Sequence, residues 1–497
     1  MAVQHKRVSL RTKLYSIFVI SLFLLTIFFR AYHFSQNIQF DQDFGRDSLY
    51  AMRMLNGKLT LLGPQASVGG FYLAPLYFYL VAAVYGLVGY IPQTMSVVFI
   101  SMGIATVWIG FHLQKTYFSR TAALLFLIFV VTHQTLVIAS RSATNQPIIP
   151  LVTVVTVLAY MAALQKKTLR SYLYVGLAYG LYFHVHFSGL LLFPALLLLT
   201  FIQNKGTVRY TIQKFIAVGL GIFIMLSPLV FFDLRHNLIT TKAFVTYISA
   251  SAEGKAIATN LPHWNTVEKI QHTLKFFSPN MVLSLLIIGL AGVCAVKMRE
   301  RHIGSMRRSY LMALGVFSLS SIAFIFVYRG YLFDYYVLSQ LTVSLLFVSA
   351  LLSLLRPRMI AFGLVSITAI FFLRTLDYSP KFRTIANLRP IMDVMETDLK
   401  KSPNKPFAVF QDSVDGLSSL AYSYRFLFER DGFHPVSEYF YEQATVLYVV
   451  AEGGEINPAL LGNFEVRMFG PGSYALLQKV HTGEQDIFVY RVEKHKD

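Results

Sequence analysis

The stretch LYSIFVISLFLLTIFF, residues 14–29, carries no charge, no glycine and no proline, and Lys6, Arg7, Arg11 and Lys13 stand just before it. A run of this length with basic flanks reads as a helix that enters a membrane. It resembles the start of a signal peptide, but Arg30-Ala31-Tyr32-His33 offers no small-residue cleavage site. The run therefore reads as a retained anchor with a cytoplasmic N-terminus. Similar runs follow at 72–89, 93–113, 120–139, 147–164, 171–202, 212–232, 280–297, 309–328, 334–355 and 358–376. In lipid the backbone must bond to itself, so each run is expected to be helical. Mean hydropathy is +0.53, with 55% hydrophobic and 14% charged residues. A soluble helical core would need polar faces to meet water, and these runs have none. The expected class is a polytopic α-helical membrane protein with about eleven transmembrane helices.

Charge divides the chain. Residues 377–497 hold 13 Lys and Arg against 17 Asp and Glu, whereas residues 1–376 hold 31 against 8. The basic surplus lies in short loops and reports orientation and lipid contact, not nucleic acid. Eleven spans from an inner N-terminus leave the tail outside. Lys297, Arg299, Arg301, Arg307, Arg308, Arg356 and Arg358 then fall inside, as they should. Lys115 and Arg120, then Lys166, Lys167 and Arg170, fall outside on a simple count. If 171–202 is a two-helix hairpin, the second cluster moves inside and an earlier span must be re-entrant. The tail alternates helical and strand patterns: a helix over Phe382–Lys400, a strand at Phe407–Phe410, a helix over Leu417–Phe428, and strands at Val446–Val450 and Ile487–Val492. This gives a transmembrane module, 1–376, with long outer loops at 32–71 and 233–279, and a small extracytoplasmic α/β domain, 377–497. The one cysteine, Cys294, lies in an apolar run, which excludes an internal disulfide and a CxxC site.

Chemistry concentrates in the first loop. Three of the eight acids of residues 1–376, Asp41, Asp43 and Asp47, fall within seven positions, beside Arg46. A helical pattern follows, with Leu49, Tyr50, Met52, Met54 and Leu55 apolar and Gly57 placed to end it. Such a helix on the membrane surface would hold carboxylates at headgroup level. Asp43 has Arg46 and Asp47 three and four residues on, within reach on one face. Asp47 reads either as the N-cap of the helix or as a partner of Asp43. Asp41 reads as a solvated loop acid. The Asp-Phe-Gly tripeptide also matches the kinase magnesium motif, a chance match without the other kinase signatures.

Carboxylates and cations converging at a membrane surface would suit transfer of a sugar from a polyprenyl phosphate, which passes through an oxocarbenium-like state. Such transfer needs one general base for the acceptor hydroxyl, and cations for the departing phosphate. Arg46, Arg141, Arg329, His184 and His186 are the candidate cations. His184 and His186 are two apart, so a shared metal would need a break in the helix. Asp233, with Arg235 and His236, opens the second outer loop as a surface ion pair or a substrate gate.

Asp43-Phe44-Gly45-Arg46-Asp47, then Leu62-Gly63-Pro64, Gly69-Gly70 and Ala74-Pro75-Leu76-Tyr77-Phe78-Tyr79-Leu80, resemble the opening of the C-type glycosyltransferases. Within that group the stretch is similar to the bacterial lipid-phosphate-sugar relatives of the protein O-mannosyltransferases and aminoarabinose transferases. Ser140-Arg141, Asn145-Gln146-Pro147, Gly180 to His186 and Ser227-Pro228 also fit, and Phe333-Asp334-Tyr335-Tyr336 stands where many relatives have His-Tyr-Tyr. The resemblance covers residues 14–376. It implies Asp43 as the catalytic residue with Asp47 beside it, and substrate or lipid-phosphate contacts from Arg46, Arg141, His186, Arg329, Tyr335 and Tyr336. It allows a divalent ion, magnesium or manganese, held by Asp41 and Asp43. It implies inverting transfer from a polyprenyl-phosphate sugar to a lipid, glycan or protein acceptor at the outer face of a bacterial inner membrane. An oligosaccharide polymerase or ligase, and a lipid-linked sugar transporter or flippase, are the alternatives. No internal repeat of the transporter kind is apparent, and the acids cluster outside the spans.

Overall fold

The computed structural model describes residues 10–66, 69–203, 207–252, 264–298, 303–328, 333–414, 419–483 and 485–495. Among them, 8 helices are long and apolar enough to cross a membrane, and Leu76–Val88, Arg120–Val131 and Phe187–Ile202 are shorter apolar helical stretches. The protein is a multi-pass membrane protein with a small sheet domain at its C-terminal side. Arg299, Arg301 and Arg329 lie outside the described residues.

Side-chain contacts fix the direction of each helix. Along Leu10–Ala31, the Arg30 side chain faces Gly103, Phe23 packs on Trp108 and Phe111 at 5.4 and 5.7 Å, and Tyr15 lies under Arg120 at 5.8 Å. Gln93–Tyr117 therefore runs antiparallel to the first helix, and Lys115 and Arg120 share the end that holds Lys13. Arg120–Val131 turns back, since the Arg30 guanidinium donates to the Val130 carbonyl at 3.2 Å.

The 72–89 run packs against protein at both ends. Leu76–Val88 packs on Gln42–Leu55, and near its far end the Tyr85 hydroxyl meets Ser48 Oγ at 2.7 Å while its ring meets Phe426 of the tail domain at 6.1 Å. Burial against protein satisfies the same apolar residues that a bilayer would, so hydropathy alone cannot separate the two.

The 171–202 run folds back on itself. Leu169–Gly180 ends, and the Tyr179 hydroxyl donates to the Gly189 carbonyl at 2.8 Å while its ring faces Phe193 at 5.6 Å. Phe193–Ile202 then returns. Val208–Arg235 next runs parallel to Leu169–Gly180: the Tyr210 hydroxyl donates to Lys167 O, Lys214 sits over Tyr172 at 5.0 Å, and Gly180 faces Met225. Glycines let these two helices touch. A Cβ on Gly176 would stand 2.1 Å from Val218 O, and one on Gly221 would stand 2.4 Å from Leu173 O. Lys166, Lys167 and Arg170 thereby join the basic end. Gln203 bonded to Ser309 O at 3.2 Å, and Ser119 bonded to Ser353 at 3.5 Å, bring the 303–309 and 353–358 segments to that end too.

At the opposite end sits the tail domain. Its four strands, β1 (Phe407–Asp412), β2 (Val446–Ala451), β3 (Gly472–Thr482) and β4 (Gln485–Lys494), pair in the order β1-β2-β4-β3. Strands β1 and β2 are parallel, and the other pairs are antiparallel. Helices Ile385–Leu399 and Tyr422–Arg430 cover it. β3, at the sheet edge, is largely exposed, unlike the buried β1 and β2.

Candidate active site

The acid-bearing helix is Gln42–Leu55, and Asp41, not Asp47, is its N-cap: the Asp41 carboxylate accepts from Phe44 N at 3.0 Å. Asp41 is thus no free loop acid. Burial, then repulsion from Asp43, pushes its pKa up to about 6. The helix stops where expected, with Gly57 at a φ of 88°.

Arg46 joins two carboxylates, reaching Asp43 Oδ1 at 2.8 Å and Asp47 Oδ1 at 2.8 Å. Burial disfavours the guanidinium charge, but Asp47 and Asp43 outweigh it and hold Arg46 protonated. The two acids then differ. Asp43 is 36% exposed and lines a cavity of about 320 Å³. Asp47 is fully buried, its Oδ2 has no hydrogen-bond partner, and burial raises its pKa to about 7 although Arg46 pulls it down. Asp47 faces away from the cavity and serves Arg46.

A folded-state pKa above the unfolded value of about 3.9 means that the charged Asp47 opposes folding. Wild-type stability should therefore fall, relative to Asp47→Asn, as pH rises from about 4 to about 7, and the difference should then level off. Thermal melts of both proteins across this range check it. A difference that is constant with pH would contradict the buried-acid assignment.

The cavity gathers distant parts of the chain. His186, at the break of the helical hairpin, lines it with Asn145, Gln146, Tyr335 and Tyr336. The His186 ring lies 5.2 Å from Tyr335 and 5.1 Å from Tyr336, and its Nδ1 accepts from Ser188 N at 3.1 Å. Tyr247 and Tyr328, whose hydroxyls are 3.3 Å apart, complete a polar wall that no single motif announces. Phe71, Phe187, Phe244, Ile248, Phe324 and Val327 form the apolar side.

Three candidates go elsewhere. Arg141 stacks on Tyr378 at 4.6 Å and is not among the residues lining this cavity. His184 is a core histidine: Leu76 N donates to its Nδ1 at 3.1 Å, and its Nε2 donates to Met225 O at 2.9 Å. Asp233 has no ion pair among the described residues; it accepts from Thr240 N at 2.9 Å and Thr241 N at 2.8 Å and so anchors the Ile239–Ala252 helix. A divalent ion between Asp41 and Asp43 fits poorly, since one carboxylate caps the helix and the other already shares a guanidinium. Among the described residues no group of three or more His, Cys, Asp or Glu converges as a metal site.

The model of the dolichyl-phosphate-mannose-protein mannosyltransferase family matches residues 73–232. Across the solved structures, the chain is similar to ArnT from Cupriavidus metallidurans bound to undecaprenyl phosphate. The TM-score is 0.62 at 12% identity, over 96% of this chain and 98% of that one. It is also similar to the oligosaccharyltransferase AglB from Archaeoglobus fulgidus, in complex with an inhibitory peptide and a dolichol-phosphate (TM-score 0.53, 10% identity, 89% and 70% covered). A third is the arabinofuranosyltransferase AftD from Mycobacteria (TM-score 0.53, 12% identity, 98% and 40% covered). No curated protein sequence matches the chain. The family match and these three structures are all C-type glycosyltransferases, which bears out the resemblance read from the sequence, and the chain has their fold.

Proposed function

We propose that this chain, which has the fold of the C-type glycosyltransferases, transfers a sugar from a polyprenyl-phosphate donor to an acceptor hydroxyl with inversion at the anomeric carbon. The observation that carries the reading is one cavity joining Asp43 and Arg46 to a long apolar wall. The apolar side suits the first isoprene units, and the polar end suits the phosphate and sugar. Arg46 faces the phosphate, and His186, Tyr328 and Tyr336 are its hydrogen-bonding neighbours.

The acceptor oxygen attacks the anomeric carbon, and the bond from that carbon to the phosphate oxygen breaks with its electron pair leaving on phosphate. The acceptor proton passes to the Asp43 carboxylate. A retaining enzyme would place a second carboxylate about 5 Å away as nucleophile. Among the described residues lining the cavity Asp43 is the one carboxylate, because Asp47 is turned into the core. One carboxylate and one displacement give inversion.

His186→Ala tests the donor site. Binding of polyprenyl phosphate to the purified protein should weaken about tenfold, the worth of one hydrogen bond to a charged group. Unchanged binding would remove His186 from it.

The direction of the helices supports a bacterial inner-membrane orientation with the basic end in the cytoplasm, the tail domain outside and eleven crossings between them. Protease added to spheroplasts should then digest residues 377–497. Protection of that domain until lysis would reverse the orientation.

A further inference from the structure

A second cavity, of about 520 Å³, adjoins the first. Gln146 and Tyr335 line both, so these two side chains form the partition. The two spaces differ in kind. Gln134, Thr135, Ser142 and Thr144 bring an amide and hydroxyls to the second, His272, Lys275 and Asp334 bring ionisable groups, and Phe276 and Phe372 bring aromatic surface. Its walls come from the Gln134–Ala139 helix, the loop after it, the end of Thr266–Lys275, and the end of Arg358–Thr375 nearest the tail domain. Both cavities therefore open at the same end of the helical bundle.

We propose that this second cavity binds the acceptor, and that the acceptor is a carbohydrate; the proposal rests on the glycosyltransfer reading above. Transfer needs two substrates, and the apolar wall of the first cavity suits the lipid-linked one. A saccharide offers many hydroxyls around rings whose C–H faces rest on aromatic surface. That matches a lining of amide, hydroxyl and ionisable side chains, all able to bond sugar hydroxyls, with two phenylalanine rings. An apolar acceptor would leave the Gln134 amide dry, at a cost of about 1–3 kcal/mol. The volume lies in the range of small-ligand sites, about 300–1,000 Å³.

The partition sets the chemistry. An acceptor hydroxyl that passes between Gln146 and Tyr335 enters the space lined by Asp43. There its oxygen bonds to the anomeric carbon, its proton goes to Asp43, and the sugar–phosphate bond breaks toward phosphate. Neither Gln134 nor Thr135 lines the donor cavity, so each can be changed without touching donor contacts.

The experiment uses the full chain in membranes that hold the natural acceptor, with a radiolabelled polyprenyl-phosphate sugar as donor. Thr135→Trp fills the space, and Gln134→Leu removes an amide at similar volume. At limiting acceptor, transfer should fall at least tenfold in Thr135→Trp and severalfold in Gln134→Leu, the latter through the acceptor KM. Binding of polyprenyl phosphate should stay within twofold of wild type. Gln134→Leu decides the matter if Thr135→Trp does not fold. Mild periodate treatment of the acceptor fraction should abolish transfer, and protease treatment should not. Unchanged transfer in a folded variant, a parallel loss of donor binding, or an acceptor destroyed by protease and spared by periodate would each overturn the proposal. Wild-type membranes that transfer nothing would instead count against the parent reading and this one together.

Discussion

Asp43→Asn should lower sugar transfer by about 10²–10⁴-fold, the usual worth of a positioned general base. The substitution keeps the size and hydrogen-bonding shape of the side chain while removing the proton acceptor. Arg46 retains Asp47, so the helix and its cation should stay in place. Binding of polyprenyl phosphate should be kept or strengthened, because the substitution removes a charge of the same sign as the phosphate. The measurement is transfer from a radiolabelled donor in membranes holding each variant at equal amounts. Asp41→Asn should act differently. Asparagine caps a helix about as well as aspartate, so stability should hold and the loss of turnover should be mild. Near wild-type turnover by Asp43→Asn would remove the mechanism.

The second large effect is expected at Gly45. The tail domain packs on the acid-bearing helix, and a Cβ on Gly45 would stand 2.5 Å from Ser423 N and 2.8 Å from Tyr422 C. Both are backbone atoms, which cannot swing aside as a side chain could. Around this contact Ser423 Oγ donates to the carbonyls of Phe40 at 2.9 Å and Asp41 at 2.8 Å, and Tyr422 N donates to Gln42 Oε1 at 3.2 Å. Two turns on, Arg53 reaches Glu438 and Glu429, each at 3.0 Å. Gly45→Ala should therefore push the helix off the domain, at an overpacking cost of about 1–3 kcal/mol. A displacement of about 1 Å at a reacting group can cost about 10²-fold in rate. Turnover should fall by that order, with polyprenyl-phosphate binding retained and the tail domain cut faster by protease. Unaltered turnover and protease resistance would show that the contact does not position Asp43.

Much of this was legible in the sequence, for stated reasons. Three carboxylates and an arginine within seven residues are rare in so apolar a chain, and they mark the Gln42–Leu55 helix before any coordinates. Which aspartate caps it was not legible, because Asp41 and Asp47 both precede apolar helical residues and the choice depends on where the backbone turns. The helix directions were half legible. Lys115, Arg120, Lys166, Lys167 and Arg170 conflicted with a simple count of spans, and the conflict disappears in the proposed topology, in which 72–89 packs on protein and 171–202 folds back as two helices. Hydropathy measures apolarity, not direction, so it could pose that conflict without resolving it. Tyr247 and Tyr328 stayed hidden because each sits in an unremarkable aromatic stretch and gains meaning only from the neighbour the fold supplies.

The Gln42–Tyr422 and Phe40–Ser423 hydrogen bonds span separations of 380 and 383 residues. A ribosome releases the carboxylates early and the backbone that seats them late. At about 5–20 residues per second, the interval between the two is on the order of 20–80 seconds. During that time the first outer loop waits without its partner. A chain halted between Asp47 and Tyr422 would hold every charged group of the Asp43–Arg46–Asp47 set and still lack the surface that seats their helix. Completion of the polypeptide thus acts as the last assembly step of the site, and prematurely terminated chains left in the membrane should be inert.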